Sequence, residues 1–387
     1  MTQKKRTFNV EVNLDVLNWV INSSGWKKEE LIKKLDIASD VFEGWVQGGI
    51  KPTLRQLQRL AWIVKRPLAV FLLSKPLAEK PVPKDYRMMP DKVGIFDKKT
   101  IFSIRRARRL QSISKELSEN LGTNTKVQIK EFSLSDDPRK VAEFYRNEFQ
   151  FNEDFRKKAK TPYDLFYAIR DLIEDRNILV FQISMPLNDA RGFALADESP
   201  YVLVVNSADQ IEARIFTLLH EFGHALLKES GISIPEYVLA IDGDKTEKWC
   251  NEFASAFLLP VDLARTEFDN YKQQLTETKI LEKLSRKLKV SKAMLLYNMR
   301  KLSYIGIQQY SSVLNRYHLD NVNIVEKKIG KIIRAKADKQ CLSEKGQKFV
   351  SLITNNIEKG FITHSDALGY LSIKSKNLDK VMSKAKR

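Results

Sequence analysis

The chain has 387 residues, which at roughly 150 residues per domain corresponds to two or three domains and excludes a disulfide-held miniprotein. Hydrophobic residues make up 43% and charged residues 29%, enough apolar surface for a packed core and too much for global disorder. The net charge of +18 favours nucleic acid, anionic surfaces or acidic partners without choosing among them, and Cys250 and Cys341, far apart and without close Cys or His companions, give neither a disulfide framework nor a zinc ribbon.

No run approaches the ~18 apolar residues needed to cross a bilayer, and Met1 to Val10 is basic and then polar with no apolar stretch behind it. The expectation is a soluble cytoplasmic protein in a reducing compartment, without a membrane partner.

From Val10 to Pro76 short amphipathic segments alternate with turn signals, the pattern of a small helical domain. Leu14, Leu17, Trp19, Val20 and Ile21 suit a first helix, interrupted by Ser23, Ser24 and Gly25. Trp26 to Leu35 gives a second, and Ser39 is read as the cap of a third that runs through Val46 to Gly48 and Gly49. Pro52 and Thr53 open a fourth carrying Leu54, Leu57, Leu60, Ala61 and Val64. Pro67 to Leu73 is a short apolar continuation.

Pro76, Pro81, Pro83 and Pro90 then crowd a stretch with few periodic apolar residues, as in an inter-domain linker. Thr100 to Leu121 is a helix bearing Arg105, Arg106, Arg108 and Arg109, read as a solvated basic face in preference to a phosphate site. Asp137 to Glu148 and Tyr163 to Asp175 are two more helices. Ile178 to Ile183 and Tyr201 to Val205 have the composition of buried strands, with Gly192 and Phe193 on a turn or short strand between them. Apolar helices are expected over Ile211 to Leu227 and Thr246 to Leu259, the second stopped by Pro260, followed by Ile280 to Lys289, Ser291 to Leu302 and a lysine-rich tail from Lys327. The fold class is mostly α with a small β-sheet (α+β).

The chemistry sits in the first of those apolar helices, where His220, Glu221 and His224 form His-Glu-x-x-His. Residues four apart lie about 40° apart around a helix, so both imidazoles reach one metal ion from the same face. Zinc suits them, since it takes nitrogen and oxygen ligands tetrahedrally, leaves a place for water and lowers the pKa of that water towards ~7. Glu221 is the general base for it, and manganese is an alternative ion. Half of the chain's four histidines are used here, while His318 and His364 stand alone. A third ligand is expected from a carboxylate on the following helix. Glu247 is preferred, with Asn251 one turn later on the same face to orient a ligand. Glu252 faces elsewhere among packing residues, and Asp242 and Asp244 lie in the loop between the helices. Tyr201 and Tyr237 are near enough in sequence to consider for the oxyanion, and neither is assigned to it.

Thr217 to Leu227, Glu247 to Pro260, Gly192-Phe-Ala-Leu and Val204-Val-Asn206 together resemble the ImmA/IrrE family of metallopeptidases, well over Tyr163 to Gly306 and loosely over Pro90 to Pro162. The resemblance implies a zincin-like core over residues 100–306, with His220, His224 and Glu247 on zinc, Glu221 as base and the strand Tyr201 to Asn206 aligning the peptide. It also implies a protein substrate, a helix-turn-helix repressor, whose cleavage switches on mobile-element, toxin–antitoxin or stress genes.

Residues 1–76 resemble a Cro/repressor-type helix-turn-helix, on Gly25-Trp26, Glu29-Glu30-Leu31, Trp45-Val46-Gln47-Gly48, Pro52-Thr53, Gln56-Leu57 and Leu60-Ala61. The third helix of such a motif enters the major groove. This one carries Asp40 and Glu43 and no Arg or Lys, which leaves DNA contact and protein docking both open, with Ser39, Arg55 and Arg59 as contact residues and Lys65 and Arg66 as further basic groups. Residues 77–99 are then the linker and 307–387 a basic helical C-terminal region without an assigned role. The competing expectation is a non-proteolytic DNA-binding regulator or antitoxin with a structural or sensory metal, against which the intact Glu221 argues.

Overall fold

The computed structural model describes residues 8–86, 94–233, 244–316 and 336–385. Tyr237, Asp242, His318 and the beginning of the lysine-rich tail at Lys327 lie outside the described residues. The chain divides into two compact units, one of residues up to Val82 together with Gly94–Arg106, the other of Pro83–Val93 together with Ala107 onward.

The first unit is helical: α1 (Leu14–Asn22), α2 (Lys28–Leu35), α3 (Ser39–Gln47), α4 (Leu54–Val64) and a 3₁₀ turn at Leu68–Leu72. Each helix buries one apolar stripe, and Leu17, Val20, Leu31, Phe42, Trp45, Leu57, Leu60, Val64 and Phe71 meet in a single core. The Asn13 side chain caps α1 by accepting from the Asp15 and Val16 amides, and Thr53 with Gln56 forms a capping box at α4. Ser39 is not the cap expected of it. Ala38 holds that position with no side-chain hydrogen bond, and Ser39 is the first, exposed residue of α3.

The second unit is α+β, built on a five-stranded sheet of β1 (Lys84–Asp85), β2 (Ile178–Ile183), β3 (Gly192–Leu195), β4 (Tyr201–Asn206) and β5 (Gly231–Ser233) in the order β1-β5-β3-β4-β2. β2 runs parallel to β4, with Ile178 opposite Tyr201. β3 is antiparallel to both β4 and β5, and β1 is parallel to β5. The helices are α5 (Lys98–Asn120, in this unit from Ala107), α6 (Pro138–Glu148), α7 (Glu153–Lys158), α8 (Pro162–Glu174), α9 (Ile211–Leu226), α10 (Lys245–Leu258), α11 (Val261–Asp269), α12 (Thr278–Leu288), α13 (Lys292–Lys301), α14 (residues 307–316), α15 (Ala337–Lys345), α16 (Gln347–Glu358), α17 (His364–Leu371) and α18 (Leu378–Ala385).

The near-continuous apolar strands follow from burial on both faces. Side chains alternate along a strand, so Ile178, Val180, Leu203 and Val205 enter the core with α8 and α9. Leu179, Phe181, Val202 and Val204 are buried on the opposite face, where the Phe181 ring meets Phe349 of α16 edge to face at 5.5 Å. The C-terminal helices therefore cover the side of the sheet that α9 does not. α9 is apolar almost all round and buried nearly throughout, as it packs against the sheet, α8 and α10. Fully buried Phe222, Phe253 and Phe257 lock α9 to α10, each contributing about 2–3 kcal/mol through burial.

β4 has β2 on one side and β3 on the other, so both of its edges are already hydrogen-bonded. It has no free edge to align a peptide, contrary to the expectation for Tyr201 to Asn206. Strand order depends on long-range pairing, which the local pattern of alternation does not encode.

Among the described residues no helix is long and apolar enough to cross a membrane.

Candidate metal centre

α9 carries His220 and His224 on one face, and α10 lies against that face because Gly223 leaves room for it. A Cβ at Gly223 would stand 3.1 Å from the Cys250 Sγ and 3.3 Å from its Cα, so a side chain there would push the helices apart. At this close approach Glu247 and Asn251, one turn apart on α10, both face the histidines. Their neighbour Cys250 is buried, and burial pushes its thiol well above the usual range, so it acts as a packing residue.

The Nε2 atoms of His220 and His224 lie 3.2 Å apart, His224 Nε2 is 3.0 Å from Glu247 Oε1, and His220 Nε2 is 3.4 Å from Glu247 Oε2. Ligands about 2.0–2.1 Å from a tetrahedral zinc stand about 3.3–3.4 Å from one another, so two imidazole nitrogens 3.2 Å apart, each 3.0–3.4 Å from an oxygen of the Glu247 carboxylate, fit such an ion. His220 Nδ1 faces Asn251 Oδ1 at 2.9 Å, which puts the ring proton on Nδ1 and leaves Nε2 free to coordinate.

The electrostatics point the same way. Burial raises the Glu247 carboxyl, but His220 and His224 pull it further the other way, and the net result is well below the usual carboxylate range. Burial lowers the His224 imidazole from its usual 6.5, the direction that favours coordination. Burial, reinforced by the Glu247 charge, raises Glu221 well above its usual 4.5. Both Glu221 carboxylate oxygens and His224 Nδ1 are buried without a hydrogen-bond partner among the described residues. Orphaned buried carboxylate oxygens are costly and rare in a purely structural role. Glu221 is aimed at β3, where a Cβ at Gly192 would come within 2.6 Å of its Oε1 and of Thr217 Cγ2.

The centre is largely closed to solvent, with Glu247 6% exposed. His220, Glu221 and His224 have no exposed surface, and Tyr86, itself 3% exposed, lays its ring 5.3 Å from that of His224. The Tyr86 hydroxyl donates to Glu229 Oε2 at 3.2 Å. Tyr86 directly follows β1, in the stretch that reads as linker in the sequence, and nothing in its composition signals the contact.

The other candidates are engaged elsewhere. Glu252 accepts from Arg139 Nε at 2.6 Å and from Lys301, and is held away from the histidines. Asp244 caps α10 by accepting from the Thr246 amide and pairs with Lys84. Tyr201 begins β4, and the hydroxyl beside His224 and Glu247 belongs to Ser233, which the sequence does not single out. His364 is exposed at the start of α17.

In the first unit Arg55 and Arg59 are exposed on α4, with Arg59 3.8 Å from Asp36. Arg66 is committed instead, only 6% exposed, paired with Glu79 at 2.7 Å and stacked on Trp19. The arginines of α5 are not a uniformly solvated face: Arg105 donates to the Val64 carbonyl at 2.8 Å and is lowered to about 10 by burial, and Arg108 pairs with Asp197 in the second unit.

Searches among curated proteins and among solved structures give no match. Residues 173–300, the stretch from the end of α8 to α13 that carries His220, Glu221, His224 and Glu247, match the family model Peptidase_M78, the IrrE N-terminal-like domain, and so support a peptidase of the ImmA/IrrE kind.

Proposed function

We propose that the protein is a zinc-dependent endopeptidase of the cytoplasm, with His220, His224 and Glu247 holding the ion, manganese being the alternative metal. The observation that carries this reading is the convergence of those three side chains beside a buried carboxylate, Glu221, with no other partner among the described residues. When bound, the metal supplies Lewis acidity, activating water and polarising the scissile carbonyl. Asn251 fixes the His220 tautomer. Glu221 takes a proton at its carboxylate and returns it to the leaving amine. Gly192 gives that carboxylate its room.

The substrate we propose is a helix-turn-helix repressor of mobile-element, toxin–antitoxin or stress genes. The first unit is proposed as a Cro/repressor-like module that recruits DNA or a protein partner, with Ser39, Arg55 and Arg59 as its exposed contact residues. In cells making the wild-type protein such a repressor should disappear, and in cells making Glu221→Gln it should persist. Equal loss in both, or loss in neither, contradicts proteolysis.

One observation favours a second reading, a regulator or antitoxin whose metal is structural or sensory: both histidine ligands have no exposed surface and Glu247 only 6%. Orphaned Glu221 weighs against it, because a structural site has no use for a base.

A further inference from the structure

Resting on the metal-centre reading above, we propose that the Ser233 hydroxyl is a fourth donor to the ion held by His220, His224 and Glu247. Ser233 ends β5 and is fully buried. Its Oγ lies 3.2 Å from His224 Nε2 and 3.2 Å from Glu247 Oε1. Both separations fall within the 3.0–3.4 Å found between the two imidazole nitrogens and from each of them to a Glu247 carboxylate oxygen, and close to the edge of about 3.3–3.4 Å of a zinc tetrahedron.

Hydrogen bonding alone does not account for this crowding. His224 Nε2 has three polar atoms around it at 3.0–3.2 Å: His220 Nε2, Glu247 Oε1 and Ser233 Oγ. The Ser233 hydroxyl can donate to Glu247 Oε1, but a neutral imidazole nitrogen offers only one proton or one lone pair, fewer than the three polar atoms that crowd His224 Nε2. A cation held by His220, His224 and Glu247 would relieve that crowding and take the Ser233 hydroxyl as a further donor. The backbone holds the hydroxyl in place, since the Arg191 amide donates to the Ser233 carbonyl at 3.1 Å and β5 is paired on both sides, with β3 and with β1.

The assignment has a functional consequence. Four protein donors close a zinc site, whereas a catalytic site keeps a position for water. A neutral hydroxyl is the weakest of the four donors and the one that water replaces most readily. With the ion bound, displacement of the Ser233 hydroxyl by water would open the position that catalysis needs.

The test is a cobalt titration of the full-length protein and its Ser233→Ala and Ser233→Cys variants, with circular dichroism as the folding control. Cobalt-loaded Ser233→Cys should show a near-ultraviolet thiolate-to-metal charge-transfer band absent from wild type, and Ser233→Ala should bind cobalt about tenfold more weakly. No added band in Ser233→Cys with metal bound, or wild-type affinity in Ser233→Ala, overturns the fourth donor and leaves the three-ligand centre standing. Failure of the wild type itself to bind cobalt or zinc overturns the metal centre instead.

Discussion

The Nδ1 of His220 lies 2.9 Å from the Oδ1 of Asn251, one turn beyond Glu247 on α10. An amide oxygen only accepts, so this contact sets the ring proton and aims Nε2 at Glu247 and His224. Asn251→Ala should therefore retain the fold and bind zinc about 10–100-fold more weakly in a chelator competition. Unchanged affinity would mean that Asn251 only packs.

Glu221 gives a pH dependence with a definite sign. Its folded carboxyl is raised above the usual 4.5 by burial, so the neutral form is favoured in the fold. The stability it contributes is complete below about 4.5 and is lost as pH rises through the folded value. Gln cannot ionise, so metal-free Glu221→Gln should lose less stability than metal-free wild type as pH is raised from 4.5 to 8. Thermal melts at several pH values check this, and parallel curves would contradict it.

Tyr86 roofs His224 with its ring, at 5.3 Å between centroids. Tyr86→Ala should cost about 3–5 kcal/mol, as for other buried aromatic truncations, and should release zinc to chelator faster than wild type. Tyr86→Phe keeps the ring and should release at the wild-type rate. The same rate in all three proteins would show that the roof does not govern access.

Gly192 faces Glu221 so closely that an added Cβ would stand 2.6 Å from Oε1. Since the strand and α9 are both packed, the carboxylate has to shift. Gly192→Ala should keep its zinc, lose about 1–3 kcal/mol of stability and lose most peptide hydrolysis. Full hydrolysis with zinc bound would contradict the placement of Glu221 as base.

The centre was legible where the residues forming it share a helix. The four-residue spacing of His220 and His224, and of Glu247 and Asn251, is local periodicity, and it puts each pair on one face. The long helices and the strands Ile178–Ile183 and Tyr201–Asn206 were legible for the same reason: their apolar patterns are long enough to carry a period. Ser233 and Tyr86 were not, because β5 has three residues and β1 two, too few for any period, and both contacts arise from strand pairing across the sheet. The burial of β4 between β2 and β3 is likewise a property of strand order. Arg66, Arg105 and Arg108 read as free charge in sequence, and only tertiary structure supplies Glu79, the Val64 carbonyl and Asp197 as their partners.

The most direct measurement is zinc content, by mass spectrometry, of the protein purified without chelator, beside His224→Ala and Glu247→Ala. One zinc per wild-type chain, lost in both variants, is the expected result. No metal in the wild type even after adding zinc, or equal metal in all three, would contradict a His220–His224–Glu247 centre.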